Sequence, residues 1–178
     1  MGNRPVEELL ADARETYGVF GRAQRALNIV DQALEVEPQN VEALNLRGAI
    51  LYELDRDEEA ADYHRRALAV EPHSVEALHG LASLANDAGR YTEALDWLNT
   101  AFQSIPKDPN PELKENEDYR QRLIAELYNE KAFALWYTGH HDVAERLLTK
   151  EAPLACPLEV ENFEEELEWL EEHPDRPE

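Results

Sequence analysis

The chain has 178 residues, 43% of them hydrophobic, with 39 acids against 17 bases, a formal net charge of −22 and one cysteine, Cys156. That length lies in the single-domain range with enough apolar residues for one continuous core. The acidity repels phosphate backbones and anionic lipid, which argues against nucleic acid and membrane as partners, and a lone thiol allows neither an internal disulfide nor a thiolate metal site.

No apolar run approaches the ~18 residues of a membrane span. The start, Met1-Gly2-Asn3-Arg4-Pro5-Val6, lacks the basic-then-apolar form of a signal peptide, and Val6 stands where a myristoylation motif wants Ser or Thr. The expected location is cytoplasmic. The bases are mostly arginine, with lysine only at Lys107, Lys114, Lys131 and Lys150. The acidity therefore has two readings, solubility or high-salt adaptation on one side and selection of a basic partner on the other.

Pro38, Pro72 and Pro106 follow one another at a step of 34 residues, and Ala33, Ala67, Ala101 and Ala26, Ala60, Ala94 keep that step ahead of them. A period of about 34 with small residues before a proline predicts stacked helical hairpins. The first repeat covers 7–39. The second, 41–74, opens with Val-Glu-Ala-Leu and places Leu44, Leu51 and Leu54 at helical spacing before Asp55-Arg56-Asp57 interrupts the run. Its second helix carries Ala60, Tyr63, Ala67, Leu68 and Val70, with Asp57, Glu58 and Glu59 at the positive end of the helix dipole. The third, 75–108, opens with the same tetrapeptide and breaks at Gly89. Each proline ends a second helix, because its ring lacks a donor and disfavours helix in the residue before it. Each alanine marks a place where helices approach closely.

After Asp108 the period fails at the breaker cluster Pro109-Asn110-Pro111. Aligning Gly139 with Gly89 sets Ala144 on Ala94 and Leu148 on Leu98. A fourth, degenerate repeat thus spans 125–157, displaced by an insertion of about sixteen residues at 109–124. The insertion is expected to lengthen its first helix toward the N-terminus, from near Pro111, since proline suits the first helical position. The tail, 158–173, places Val160, Phe163, Leu167 and Leu170 on one stripe among carboxylates, the pattern of a helix that caps a solenoid. A detachable acidic arm is the other reading of that segment.

This pattern resembles the tetratricopeptide repeat (TPR). In the second repeat Leu44, Gly48, Leu51, Ala60, Ala67 and Pro72 fall on that family's motif positions. The third matches through Leu78, Ala82, Ala85, Ala94, Ala101 and Pro106, and the first, more weakly, through Leu10, Tyr17, Ala26, Ala33 and Pro38. Leucine replaces the aromatic residue usual near the start of each repeat. The resemblance implies an all-α, right-handed helical-hairpin solenoid of about four units over 1–178, closed by a C-terminal capping helix.

In that family the first helix of each repeat lines a concave peptide-binding groove. Carried onto this chain, the groove comprises Glu8 and Glu15; Glu42, Asn45, Tyr52 and Glu53; Glu76, His79, Ser83, Asn86 and Asp87; and Asn129, Phe133, Trp136 and Tyr137. Asparagines suit a guest backbone, aromatics give stiff apolar contact, and the acids suit lysine or arginine. Phe133, Trp136 and Tyr137 have a second reading, as packing between the last helices. Family members that dock chaperone C-termini clamp two carboxylates with Lys, Arg and Asn. The matching positions here include Ala11, Glu15, Glu76 and Gly80, which argues against a C-terminal carboxylate as ligand.

Little points to catalysis. The histidines, His64, His73, His79, His140, His141 and His173, include no pair at the i, i+4 spacing that aims two imidazoles at a metal. Cys156 has no adjacent base. Carboxylates such as Glu164, Glu165 and Glu166 occupy equivalent settings, whereas acid–base catalysis needs environments that drive two pKa values apart. The expectation is a noncatalytic scaffold, without cofactor or metal, that binds an extended or helical protein segment, basic or neutral. The alternative is a self-associating repeat protein whose groove is filled by a second copy or by its own acidic C-terminal helix.

Overall fold

The computed structural model describes residues 4–19 and 21–150. The expected capping helix at 158–173, the end of the fourth repeat and Cys156 lie outside the described residues. Among these there are nine helices and no strand: α1 (Val6–Tyr17), α2 (Ala23–Val36), α3 (Val41–Glu53), α4 (Asp57–Val70), α5 (Val75–Asp87), α6 (Tyr91–Ser104), α7 (Pro111–Glu115), α8 (Glu117–Tyr137) and α9 (His141–Lys150). The chain divides into two compact units, Met1–Asn110 and Pro111–Glu178, at the breaker cluster.

The first unit stacks three hairpins, α1–α2, α3–α4 and α5–α6. Each second helix packs on its own first helix, α2 and α4 also pack on the next first helix, and the first helices touch one another in a row. The contacts are made where side chains are small. Ala26, Ala60, Ala94, Ala33, Ala67 and Ala101 have no exposed surface, so backbones meet at their faces and larger side chains interlock around them. Leu9, Leu10, Leu27, Val30, Leu51 and Leu84 belong to one continuous core. As expected from the prolines, α2, α4 and α6 each end two residues before one.

Hairpin turns recur at the same step. Gly21, Asp55 and Gly89 lie 34 residues apart and have φ of 77°, 56° and 70°. The left-handed conformation reverses the chain between antiparallel helices, and glycine takes it without a Cβ penalty. Asp55 is the one described non-glycine residue there.

His64, on α4, is buried between two glycines. A Cβ on Gly48 of α3 would stand 2.6 Å from His64 Cε1, and one on Gly80 of α5 would also collide with the ring. Both glycines are therefore part of the imidazole's pocket.

In the second unit α8 and α9 form a further hairpin, with Ala132, Ala144 and Leu148 buried at its centre. Its turn glycine, Gly139, has φ 82° and follows Gly89 by one repeat plus sixteen residues, as the aligned positions require. The first helix is lengthened, to 21 residues against 13 in α3 and α5, but it starts at Glu117 and not near Pro111. Pro111 opens the separate α7. Asn116 stands between the two with extended backbone, and its side chain accepts the Tyr119 N–H at 3.1 Å. That amide capping starts a new helix where continuation was expected.

Two predictions follow the backbone and the glycine pocket. Asp55→Gly should stabilise the chain by ~0.5–1 kcal/mol, and Gly89→Ala should destabilise it by at least a similar amount through conformational strain, since a Cβ at Gly89 meets nothing within 4 Å; urea unfolding reads both. Gly48→Ala should cost about 1–3 kcal/mol. In a His64→Ala background that cost should largely vanish, and a double-mutant cycle measures the coupling.

Candidate functional site

The first helices α1, α3 and α5 carry the residues expected to face a guest, and the structure divides them into two groups. Asn45 and Asn86 are buried, at 5% and 4% exposure, and Glu42, Glu76, His79 and Ser83 are half-buried. Glu8, Glu15, Tyr52, Glu53 and Asp87 are exposed.

Within that first group Asn45 and Glu76 bond to the protein itself. Asn40 and Ser74 cap α3 and α5, accepting the Ala43 and Ala77 N–H groups at 3.0 and 3.4 Å. Asn45, one turn into α3, donates from Nδ2 to Ser74 Oγ at 2.9 Å and to Glu76 Oε2 at 3.3 Å. Glu76 Oε1 accepts Asn110 Nδ2 at 3.5 Å. Asp108, 34 residues after Ser74 and 3% exposed, caps no helix of its own. It reaches back to accept the Val75 N–H at 2.7 Å and also takes the Asn110 N–H at 2.8 Å. The Nδ2 of Asn45 thus ties the second hairpin to the third. The sequence held one signal of this, the 34-residue step from Asn40 to Ser74 to Asp108.

Across the exposed group, neighbouring first helices are tied by their side chains. Tyr52 of α3 donates its hydroxyl to Asp87 Oδ2 of α5. Arg14 of α1 pairs with Glu42 of α3 at 3.2 Å. Tyr17, at the end of α1, donates its hydroxyl to the Ala49 carbonyl of α3 at 3.5 Å; burial first, and then the charge of Glu53, push its phenol up to about 12. Motif reading placed Tyr17 among the packing positions and did not anticipate this pairing. Ser83 donates to the His79 carbonyl at 3.3 Å within α5.

In the second unit Asn129, Phe133, Trp136 and Tyr137 are all half-buried on α8. Phe133 and Tyr137, one turn apart, have ring centroids 4.8 Å apart. Trp136 packs on the Ala132, Ala144 and Leu148 cluster and sets its ring edge-on to His141 at 4.4 Å, so it contributes to this hairpin's own core.

The charge on the inner row is one-sided. α1, α3 and α5 together carry Glu7, Glu8, Asp12, Glu15, Glu42, Glu53, Glu76 and Asp87. Their two arginines are both paired, Arg14 with Glu42 and Arg47 with Asp31 at 3.0 Å, while Arg47 also lies 4.4 Å over the Tyr63 ring. The second helices of the same unit are as acidic, with Asp31, Glu35, Asp57, Glu58, Glu59, Asp62, Glu93 and Asp96. Both helix rows of the first unit are therefore strongly acidic. Among the described residues no group of His, Cys, Asp and Glu is arranged to hold a metal ion, and no helix is long and apolar enough to cross a membrane.

The capping network has a measurable consequence. Asp108→Ala would strand the Val75 amide, whose residue is wholly buried, at a cost of ~1–3 kcal/mol. Asp108→Asn keeps an acceptor and should recover most of that loss in urea unfolding.

Family models described as tetratricopeptide repeat match residues 15–69 and 58–114, together more than half of the chain. No curated protein matches the sequence. Among solved structures, TTC0263, a thermophilic TPR protein in Thermus thermophilus, superposes with a TM-score of 0.66 at 20% identity, over 85% of this chain and 74% of that one. The MamA protein superposes with a TM-score of 0.61 at 20% identity, over 83% of this chain and 74% of that one. A second MamA crystal structure gives 0.61 at 19%, over 90% and 81%. At these identities the likeness is one of fold.

Proposed function

Since the chain belongs to the tetratricopeptide repeat family of protein–protein interaction scaffolds, we propose that it holds a basic or neutral polypeptide segment, extended or helical, against the first helices of its hairpins. The observation that carries this reading is Tyr52. It is one of the few exposed large apolar side chains among the described residues, 38% accessible, and it stands on the inner row beside Glu53 and opposite Asp87. An aromatic ring rimmed by carboxylates gives apolar contact at low entropy cost and a field that favours arginine or lysine. Glu8, Glu15 and Glu42 extend the same field toward the first hairpin. In the second unit Asn129, Phe133 and Tyr137 of α8 are the corresponding contact residues. Trp136 then acts by supporting them.

Recognition of this kind needs no reaction chemistry, only hydrogen bonds to the guest backbone, ion pairs to its side chains and burial of part of the Tyr52 ring. A C-terminal carboxylate is a poor guest for this face, because its negative charge would lie among acids. We place the protein in the cytoplasm.

Equal-length basic and acidic peptides, titrated by calorimetry or fluorescence anisotropy, test this. The basic peptide should bind more tightly, and its affinity should fall as salt rises. Tyr52→Ala should weaken it by roughly 1–2 kcal/mol, about five- to thirtyfold. Stronger binding of the acidic peptide would sink the electrostatic reading. Light scattering without peptide separates the alternative, in which a second copy occupies the face and the mass doubles.

A further inference from the structure

His64 is 3% exposed, and its Nδ1 has no hydrogen-bond partner. Three helices close on the ring: its own α4, α3 at Gly48 and α5 at Gly80. The matching places one repeat earlier and later hold Val30 and Leu98, both wholly buried. An apolar side chain thus fills this position elsewhere in the stack, and packing alone does not call for an ionisable one.

The surroundings offer a protonated ring nothing. On α5, His79 is the charged group that acts on it, with the same sign, while Glu76 is bonded by Asn45 and Asn110. On α3, Arg47 beside Gly48 is turned to Asp31 and the Tyr63 ring. On α4 the neighbouring Arg65 is exposed and pairs with Asp62 at 3.3 Å. Burial, and after it the field of His79, lower the imidazole to about 4 from its ordinary 6.5. The closed joint therefore holds neutral histidine.

We propose that His64 is an acid-sensitive latch between the second and third hairpins: a proton on its imidazole drives the ring out from between Gly48 and Gly80 and parts α5 and α6 from α3 and α4. The sign follows from linkage. Above pH 6.5 the ring is neutral whether the joint is open or closed, and the closed state has its full advantage. As pH falls from 6.5 toward 4 the open state takes up a proton that the closed state refuses, so opening gains about tenfold per pH unit. Below about 4 both states are protonated and the effect levels off.

Hydrogen–deuterium exchange on the full chain, corrected for the chemical exchange rate, reads the joint directly. Between pH 6.5 and 4.5 protection in α5 and α6 should fall about fortyfold in the wild type relative to His64→Leu, while α1 and α2 behave alike in both proteins. Equal pH dependence in the two proteins, or equal excess loss in α1 and α2, would overturn the proposal. If His64→Leu does not fold, His64→Val, the residue of the first hairpin, replaces it. Independently, the His64 ring resonance in the wild type should stay in its neutral form to below pH 5, and a midpoint near 6.5 would overturn the proposal as well.

Discussion

Six alanines with no exposed surface, Ala26, Ala60 and Ala94 with Ala33, Ala67 and Ala101, govern how near the helices of the first unit come to one another. A helix can lie against its neighbour at short distance only where the side chain between them is a single methyl group. Once that spacing is set, the leucines and valines around each alanine reach across and interlock, and burial of their apolar surface supplies most of the driving force. The 34-residue step is thus a packing distance written into the chain. The turn residues, caps and prolines keep each hairpin in register with the next.

The same regularity explains where polar groups are placed. Asn40, Ser74 and Asp108 recur at one step because every first helix exposes amides at its N-terminus that need acceptors. Asn40 and Ser74 meet that need locally. Asp108, where no helix follows at once, instead reaches back to Val75 and completes the end of the stack. Asn45 and Glu76 are drawn into this arrangement. Tyr52, Glu53 and Asp87 remain at the surface, at the junction of α3 and α5.

That junction is also where the helices are least ordinary. Two glycines, Gly48 and Gly80, admit an imidazole where the neighbouring repeats bury valine and leucine. The ring fills the gap while adding a group whose charge the interior rejects. A wall that presents Tyr52 on its exposed side and seats His64 within it couples the stack's cohesion to the chemistry of one residue.

Much of the fold was legible in the sequence because a repeat states its own constraints several times over. The alanine and proline steps, the turn at Gly89 and the acids at the start of α4 each follow from local backbone physics, and all of them agree. The fourth hairpin could be aligned across sixteen inserted residues for the same reason, through Gly139, Ala144 and Leu148. Local reasoning erred at Asn116, where a side-chain cap competes with helix continuation over a single turn. What only the tertiary structure decided was the partner of each polar side chain. Asn45 and Tyr52 look alike as candidates on one helix, yet one bonds Ser74 and the other stays exposed beside Asp87. That difference depends on how closely α3 meets α5, a distance between residues some thirty positions apart that no local pattern encodes.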